Sequence, residues 1–484
     1  MSTFKKDFLS GTFYVGIAKY ANIVCQLVIT AILSRLLTPE DYGNIAIATV
    51  FIAFFNVLSD VGIGAAVIQR KDFTNKDLDQ LYSLNIYIGV ILSIFFFLSS
   101  GLISRYYDNE QLYYVCQLLS FLILFTCART VPMNLLYREK KFKYIAFSNL
   151  FIHICCGIVA IITALFDWGV YSLVTSQVLS SFLLLIIYSL KYKRSFCFHV
   201  DLSPMKKIYS YSAYNFAGTI FIYFTLNIDK LLVGKFTGTK ALGYYEKSYS
   251  LVFLPINNIS FVITPVLHPL FSEFQNDFKS LINKLLKIIR ILAFISFPLS
   301  VICFFISKEL IIVFYGDQWY SAIPPFQIMC LAISFLILDT IVGSIYNAAN
   351  ETKRGFYTMF IMACIMIISV IVAIYFWNTI IAVAYAFLFA KIVGTLVNFY
   401  SLMQGLEGDF KEFLICISKP IIISLILAVL LFLFSQYLII DNILIVLLMK
   451  SVAGVLLLLV LIRIFCGYNL IGMASNKLYN KMKR

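Results

Sequence analysis

Apolar runs of 20 to 28 residues alternate with short polar breaks along the whole chain. The pattern predicts helices over 11–36, 43–68, 81–104, 112–136, 144–166, 169–190, 208–232, 245–270, 284–307, 322–347, 356–376, 378–403, 413–439 and 441–465. About 20 apolar residues in helical form cross a hydrocarbon core ~30 Å thick, so each run is long enough to span it with some tilt. The runs are too long for barrel strands and lack the alternation that barrels require. The expected fold is an all-α polytopic membrane protein of about fourteen transmembrane helices.

Composition sharpens this. The chain has 484 residues, 61% hydrophobic and 13% charged. Soluble domains are about half apolar and a quarter charged. A soluble enzyme and a disordered chain are both excluded. The net charge of +14 raises nucleic acid as a partner, but the distribution of bases answers that. With the N-terminus inside, 27 of the 38 Lys and Arg fall on the inner side, seven on the outer side and four within spans. That asymmetry is the positive-inside pattern, with both ends cytoplasmic and no nucleic acid required. The 11 cysteines form no CxxC pair and read as small core hydrophobes rather than as a metal site or a disulfide framework. Lys5 and Lys6 precede a run that lacks a cleavage site, which predicts a retained first span.

Four segments follow: an N-lobe of helices 1–6 over 1–194, a cytoplasmic inter-lobe linker over 195–207, a C-lobe of helices 7–12 over 208–404, and helices 13–14 with a basic cytoplasmic tail over 405–484. An internal repeat supports the division. A shift of 200 residues places Arg35 on Lys235 and Gly43 on Gly243, aligning SRLLTPEDYG (34–43) with GKFTGTKALG (234–243). SFLIL recurs at 120–124 and 334–338, in spans four and ten. Two six-helix repeats are a transporter architecture with the substrate path between them.

Charges deep in spans cost ~2.5–3.5 kcal/mol each on insertion scales and persist where they meet water, a partner or a substrate. They are Lys19, Asp60, Arg129, Asp339, Lys391 and Lys450. Asp60, Arg129 and Asp339 each lie ~26 Å below the outer start of their span, in the cytoplasmic half. Lys19, Arg129 and Lys391 are candidates for a cationic cavity that attracts anions, phosphates above all. Pairing with Asp60 or Asp339 is the structural alternative. Those two acids are candidates for coupling or for structural pairing, and Lys450 reads as structural. His153 and His268 fit buried, hydrogen-bonded roles better than titrating ones. No HExxH, GxSxG or Walker A motif occurs, so no zinc protease, serine hydrolase or ATPase is encoded and no cofactor is implied. Tyr214 and Tyr223 are candidates for lining a sugar-binding cavity. Gly62 and Gly64 in span two, with Pro255 and Pro265 in span eight, predict a matched pair of hinge helices.

The segments SRLLTPEDYG (34–43), DVGIGAAVIQR (60–70), NIDKLLVGKFTG (227–238), LGYYEKSYSL (242–251) and LPINNISFVITPVLHPLFSEFQND (254–277) resemble the Wzx-type flippases of the polysaccharide transporter family, especially the branch that includes WzxC and TuaB. That family belongs to the MOP superfamily, with the MATE multidrug exporters and the lipid II flippases. The resemblance covers most of the chain and is strongest over 30–270. It implies two six-helix bundles in a V around a cavity, plus two helices that shape a lipid groove. It also implies translocation of undecaprenyl-diphosphate-linked oligosaccharide across the bacterial cytoplasmic membrane, with polysaccharide polymerase and chain-length regulator as possible partners and a monomer by default. Family members use cationic cavity residues, a match of chemical type for Lys19, Arg129 and Lys391. Arg35, Asp60, Asp229, Lys230 and Lys235 match the family's pattern by motif, and all but Asp60 lie at the outer rim.

Two other function classes share parts of this picture. A MATE-like organic-cation antiporter has the same architecture but calls for an acidic cavity, whereas the deep charges here are four bases and two acids. A membrane glycan polymerase calls for large external loops with charged catalytic groups, and the outer connections are short. The expected function is transport, not catalysis.

Overall fold

A computed structural model describes residues 3–59, 62–199, 201, 223, 224, 226–272, 277–438 and 440–466. Among them there is no strand. The helices are α1 (Thr3–Leu36), α2 (Pro39–Ser59), α3 (Ile63–Gln69), α4 (Asn75–Tyr107), α5 (Gln111–Arg138), α6 (Phe142–Leu165), α7 (Val170–Lys191), α8 (Thr239–Ser272), α9 (Phe278–Phe305), α10 (Ser307–Tyr315), α11 (Ile323–Cys330), α12 (Ile333–Asp339), α13 (Val342–Ala348), α14 (Thr352–Trp377), α15 (Ile380–Gly405), α16 (Phe410–Tyr437) and α17 (Ile443–Cys466). Residues 226–236 are also helical. Eleven of the described helices are long and apolar enough to cross a membrane, or twelve if one bent pair counts as a single span. The protein is a multi-pass membrane protein. The expected seventh span, 208–232, falls mostly outside the described residues. The eighth is the more polar α8, with Asn257 and Asn258 at its middle.

The chain groups into two compact units, Met1–Glu246 and Lys247–Arg484. In the first, α5 is the hub, packing against α2, α3, α4 and α7. Its fully buried Leu112, Val115, Cys116, Leu119 and Ile123 recur at helical spacing and make one continuous apolar stripe. Cys116 and Cys127 sit in that stripe as small hydrophobes, and the ten described cysteines are free thiols. Against α1, Gly157 of α6 lets Ile29 approach so closely that a Cβ there would lie 2.3 Å from Ile29 Cδ1. Small residues permit this close helix packing where water supplies no driving force.

Span two is broken. α2 ends at Ser59 and α3 starts at Ile63, with Gly62 at φ +80°, a left-handed conformation that glycine takes without steric cost. Span eight is not its match: α8 runs unbroken through Pro255 and Pro265. A proline removes one backbone hydrogen bond, and the turns on either side hold the helix through it. The hinge pair read from the sequence is therefore one broken helix and one continuous one.

The described start of the connection after α7 is fastened along α4. Arg194 Nη1 donates to Asn75 Oδ1 at 3.1 Å and lies 3.6 Å from Asp79 Oδ1. The backbone N–H groups of Ser195, Cys197 and Asp201 donate to Asp79 Oδ1 (3.2 Å), Ser83 Oγ (2.8 Å) and Gln80 Oε1 (2.8 Å). Tyr87 donates its hydroxyl hydrogen to the Phe198 carbonyl at 3.1 Å. Asn75, Asp79, Ser83 and Tyr87 repeat every fourth residue, which is one face of a helix. Removing the Asp79 and Ser83 acceptors together (Asp79→Ala with Ser83→Ala) is expected to release this stretch. Limited trypsin cleavage after Arg194 should then accelerate several-fold; an unchanged rate would count against the role given to α4.

In the second unit, α9 packs against α11, α12 and α16, and α15 packs against α11, α12 and α14. The run 322–347, expected as one helix, is α11, α12 and α13 in succession, with a 51° bend after Cys330. The N–H groups of Leu331 and Ala332 donate three residues back, to Ile328 and Met329, the tightened bonding that ends a helix. No glycine or proline stands at Cys330, Leu331 or Ala332 to announce the break. One buried and one half-buried cation stand at the margins of this unit. Lys247, 3% exposed, stands 4.6 Å from the ring centre of Tyr315 and 5.2 Å from that of Trp319, a cation–π cage. Lys450 Nζ lies 2.6 Å from Glu309 Oε1 and donates to the Phe305 carbonyl at 3.3 Å, tying α17 to the end of α9.

Candidate functional site

In the first unit a cavity of about 230 Å³ is lined by Ala18, Lys19 and Asn22 of α1, Tyr137 of α5, and Phe142, Ile145, Ala146 and Asn149 of α6. Lys19 and Asn22 share a face because they are three residues apart on one helix. Tyr188 of α7, 1% exposed, donates to Asn149 Oδ1 at 3.0 Å. Arg129, two turns before Tyr137 on α5, lies within electrostatic reach of both Tyr137 and Tyr188. Two expected bases, Lys19 in the cavity lining and Arg129 beyond it, thus share Tyr137 as a neighbour. Arg129 Nε and Asn22 Oδ1 are buried and have no hydrogen-bond partner. Buried polar atoms without partners cost about 1–3 kcal/mol each. Among the described residues no acid lines the cavity. Such a set can hold an oxyanion and the hydroxyl groups of a sugar.

Lys391 and Asp339 are placed in the second unit. Asp339, at the last residue of α12, accepts from Thr395 Oγ1 (2.8 Å) and Asn398 Nδ2 (3.2 Å) of α15. Lys391, one turn earlier on α15, interacts electrostatically with that carboxylate and stands 5.4 Å from the ring centre of Phe387. Asp60 and Tyr214 lie outside the described residues. Tyr223 donates its hydroxyl hydrogen to the Val50 carbonyl at 3.0 Å.

The rim motif forms a third cluster, within the first unit. Asp229, 1% exposed, accepts from Tyr245 Oη (2.7 Å) and from the Lys230 backbone N–H (2.9 Å). Lys230 Nζ lies 2.8 Å from Glu246 Oε2. Lys235 pairs with Asp108 at 3.0 Å and donates to the Tyr106 carbonyl. Tyr107 donates to the Leu231 carbonyl at 3.3 Å. Arg35 is exposed. The first turns of α2 and α8 meet reciprocally. A Cβ on Gly43 would lie 1.8 Å from the Thr239 carbonyl oxygen, and one on Gly243 would lie 1.8 Å from that of Pro39. The contact is reciprocal in the 200-residue register read from the sequence: position 43 meets 239, and 243 meets 39.

Sequence reading did not single out Asn22, Asn149, Tyr137 or Tyr188. The spacing of Asn22 from Lys19 was a usable signal. The other three come from helices distant in sequence, and only packing brings them to the cavity.

Comparison with known proteins first gives the class. The fold matches that of the lipid II flippase MurJ in an inward closed conformation, with a TM-score of 0.74 and 19% identity over 93% of this chain and 98% of that one. An inward-facing MATE multidrug transporter of the MOP superfamily gives 0.61, with 13% identity over 80% and 94%. The chain has the fold of the MOP superfamily. The family follows from sequence: the model described as "Polysaccharide biosynthesis protein" matches residues 32–324, more than half of the chain, which belongs to that family. Its relatives include the teichuronic acid biosynthesis protein TuaB of Bacillus subtilis, 26% identical over 88% of each chain. The lipopolysaccharide biosynthesis protein WzxC of Escherichia coli K12 is 24% identical over 86% of this chain and 85% of that one.

Proposed function

We infer that this protein is a flippase for undecaprenyl-diphosphate-linked oligosaccharide repeat units. It moves them from the cytoplasmic to the outer leaflet of the bacterial plasma membrane for surface polysaccharide synthesis. The observation that carries this reading is a cavity lined by Lys19, Asn22, Tyr137 and Asn149, with Arg129 within electrostatic reach of Tyr137 and of the Tyr188 that donates to Asn149. A diphosphate needs cations, and Arg offers it a planar fork while Lys offers a point charge. The amides and phenols suit sugar hydroxyls. Membership of a polysaccharide biosynthesis family and the fold of a lipid II flippase supply the context. In this reading both termini are cytoplasmic, the repeat unit loads from the inner leaflet, and alternating access carries the headgroup outward. Asp339, held by Thr395 and Asn398 beside Lys391, is the candidate coupling acid.

The test is transport in proteoliposomes, using a fluorescent undecaprenyl-diphosphate oligosaccharide and reading protected against accessible label over time. Wild type should move the lipid. Lys19→Ala and Arg129→Ala should each slow it about tenfold, the worth of one charge-assisted hydrogen bond. Normal transport by the double variant would exclude the cationic cavity. Failure of wild type to move any such lipid, with efflux of an organic cation instead, would assign the protein to cation export.

A further inference from the structure

On the other side of α6 from the Lys19 cavity lies a groove of about 700 Å³. Residues 142, 145, 146 and 149 face the cavity. Residues 144, 147, 148 and 151 face the groove, with Lys141, Lys143 and Ile187 completing it. Positions 144, 147, 148 and 151 follow the spacing of one helix face and run ~10 Å along the axis. Phe147 and Phe151 are 42% and 64% exposed. In a membrane-spanning helix, hydrocarbon is their solvent.

Charge gathers at one end of this groove only. Arg138 ends α5, Lys140 and Lys141 stand in the turn before α6, Lys143 is in its first turn, Lys191 ends α7 and Lys193 follows it. Glu139 is the one acid among residues 138–143 and 191–193. Lys141 Nζ lies 2.6 Å from Glu139 and donates to Tyr192 Oη at 2.6 Å. Lys191 Nζ stands 5.9 Å from the ring centre of Tyr144. Tyr144 in turn donates its hydroxyl hydrogen to the Ile187 carbonyl at 3.2 Å, joining α6 to α7 across the groove. The groove is cationic at the end read as cytoplasmic and aromatic along its depth. That is the polarity of an anionic lipid standing in the inner leaflet.

We propose that this groove holds an anionic phospholipid of the cytoplasmic leaflet, its phosphate at Lys143 and Lys191 and an acyl chain along Tyr144, Phe147 and Phe151. Basic pockets at the cytoplasmic ends of membrane helices select anionic headgroups. A zwitterionic lipid brings no net charge to six bases. The flipped substrate is the poorer occupant, because along the apolar length of the groove the polar side chains are Ser148 and Tyr144, and the Tyr144 hydroxyl is already committed to the Ile187 carbonyl. The groups suited to sugars (Lys19, Asn22 and Asn149) line the cavity on the other side of α6.

Native mass spectrometry of the purified full-length protein tests this, with phosphatidylglycerol and phosphatidylcholine of matched chains. Each lysine near the headgroup is worth about fivefold in binding. Wild type should retain phosphatidylglycerol over phosphatidylcholine. Lys143→Gln with Lys191→Gln should cut that preference about twenty-five-fold, while Lys143→Arg with Lys191→Arg should keep it. Both lysines are exposed, so neither pair of substitutions threatens the fold. Equal retention by wild type, or a preference that survives the glutamines, would overturn the proposal. So would displacement of phosphatidylglycerol by undecaprenyl phosphate at these same lysines, which would make the groove a substrate site.

Discussion

Gly43→Ala and Gly243→Ala are each expected to part the first turns of α2 and α8 and to cut transport by an order of magnitude or more. The reason is distance. Each new Cβ would lie 1.8 Å from a backbone carbonyl oxygen, about half of a normal van der Waals separation. A flexible side chain would give way, but the obstacle is the Thr239 or Pro39 carbonyl, fixed within a helix. Overpacking of this kind costs about 1–3 kcal/mol, enough to shift a two-state equilibrium by roughly five- to 150-fold. The same first unit joins α4 to the stretch 229–246 through the Lys235–Asp108 pair and the Tyr107–Leu231 hydrogen bond. Asp108→Cys with Lys235→Cys, bridged by a short bifunctional thiol reagent, reports on that junction. Its cross-linking should fall at least fivefold when either glycine becomes alanine. Gly101→Ala is the control, since its Cβ would meet nothing closer than Tyr113 Cε2 at 3.8 Å. Wild-type cross-linking in Gly43→Ala would remove the contact from the mechanism.

Glu309→Gln is expected to destabilise the second unit strongly, while replacing both members of its pair is expected to cost little. Glu309 is buried and its partner Lys450 is half-buried, with 14% of its side chain exposed. Breaking a buried pair strands a charge, at about 3–5 kcal/mol. Exchanging both partners for apolar groups of similar volume is often neutral. Glu309→Leu with Lys450→Met should therefore unfold close to wild type in detergent, well above Glu309→Gln alone. Additive losses in the two single variants and the double would mean that the pair carries little coupling. The order of the three melting temperatures decides the matter, whatever the absolute stability in a given detergent.

The helices were legible because a membrane imposes its thickness on each segment locally. Any run of ~20 apolar residues must close its own backbone hydrogen bonds, so position in sequence suffices to find it. The repeat was legible for a related reason: Gly43 and Gly243 are glycines because a Cβ at either would strike backbone, and that requirement leaves the same letter in both halves. Of the ten described cysteines read as core residues, Cys116, Cys127, Cys156, Cys330 and Cys416 are buried and the other five are half-buried. The break after Cys330 was not legible, because no glycine or proline marks it. The Lys247 cage was hidden as well, since Tyr315 and Trp319 look like any aromatics of a membrane chain until α8 is packed beside them.

The candidate site divides along the same line. Lys19, Arg129, Asp339 and Lys391 declared themselves by being charged where charge is expensive. The sequence by itself determined the class of protein, the position of most spans and the short set of intramembrane charges, because each follows from local apolarity and length; of the fourteen expected spans, eleven or twelve stand among the described residues. Which charge meets which partner was decided only by the tertiary structure. Lys450 finds Glu309 from 141 residues away, Asp339 finds Thr395 and Asn398 from 56 and 59 residues away, and Lys19 shares a cavity with Asn149 of a helix five elements on. Such pairings depend on how helices dock, through close-packed shape and the cost of an unsatisfied polar atom in a medium without water, and no local pattern encodes them.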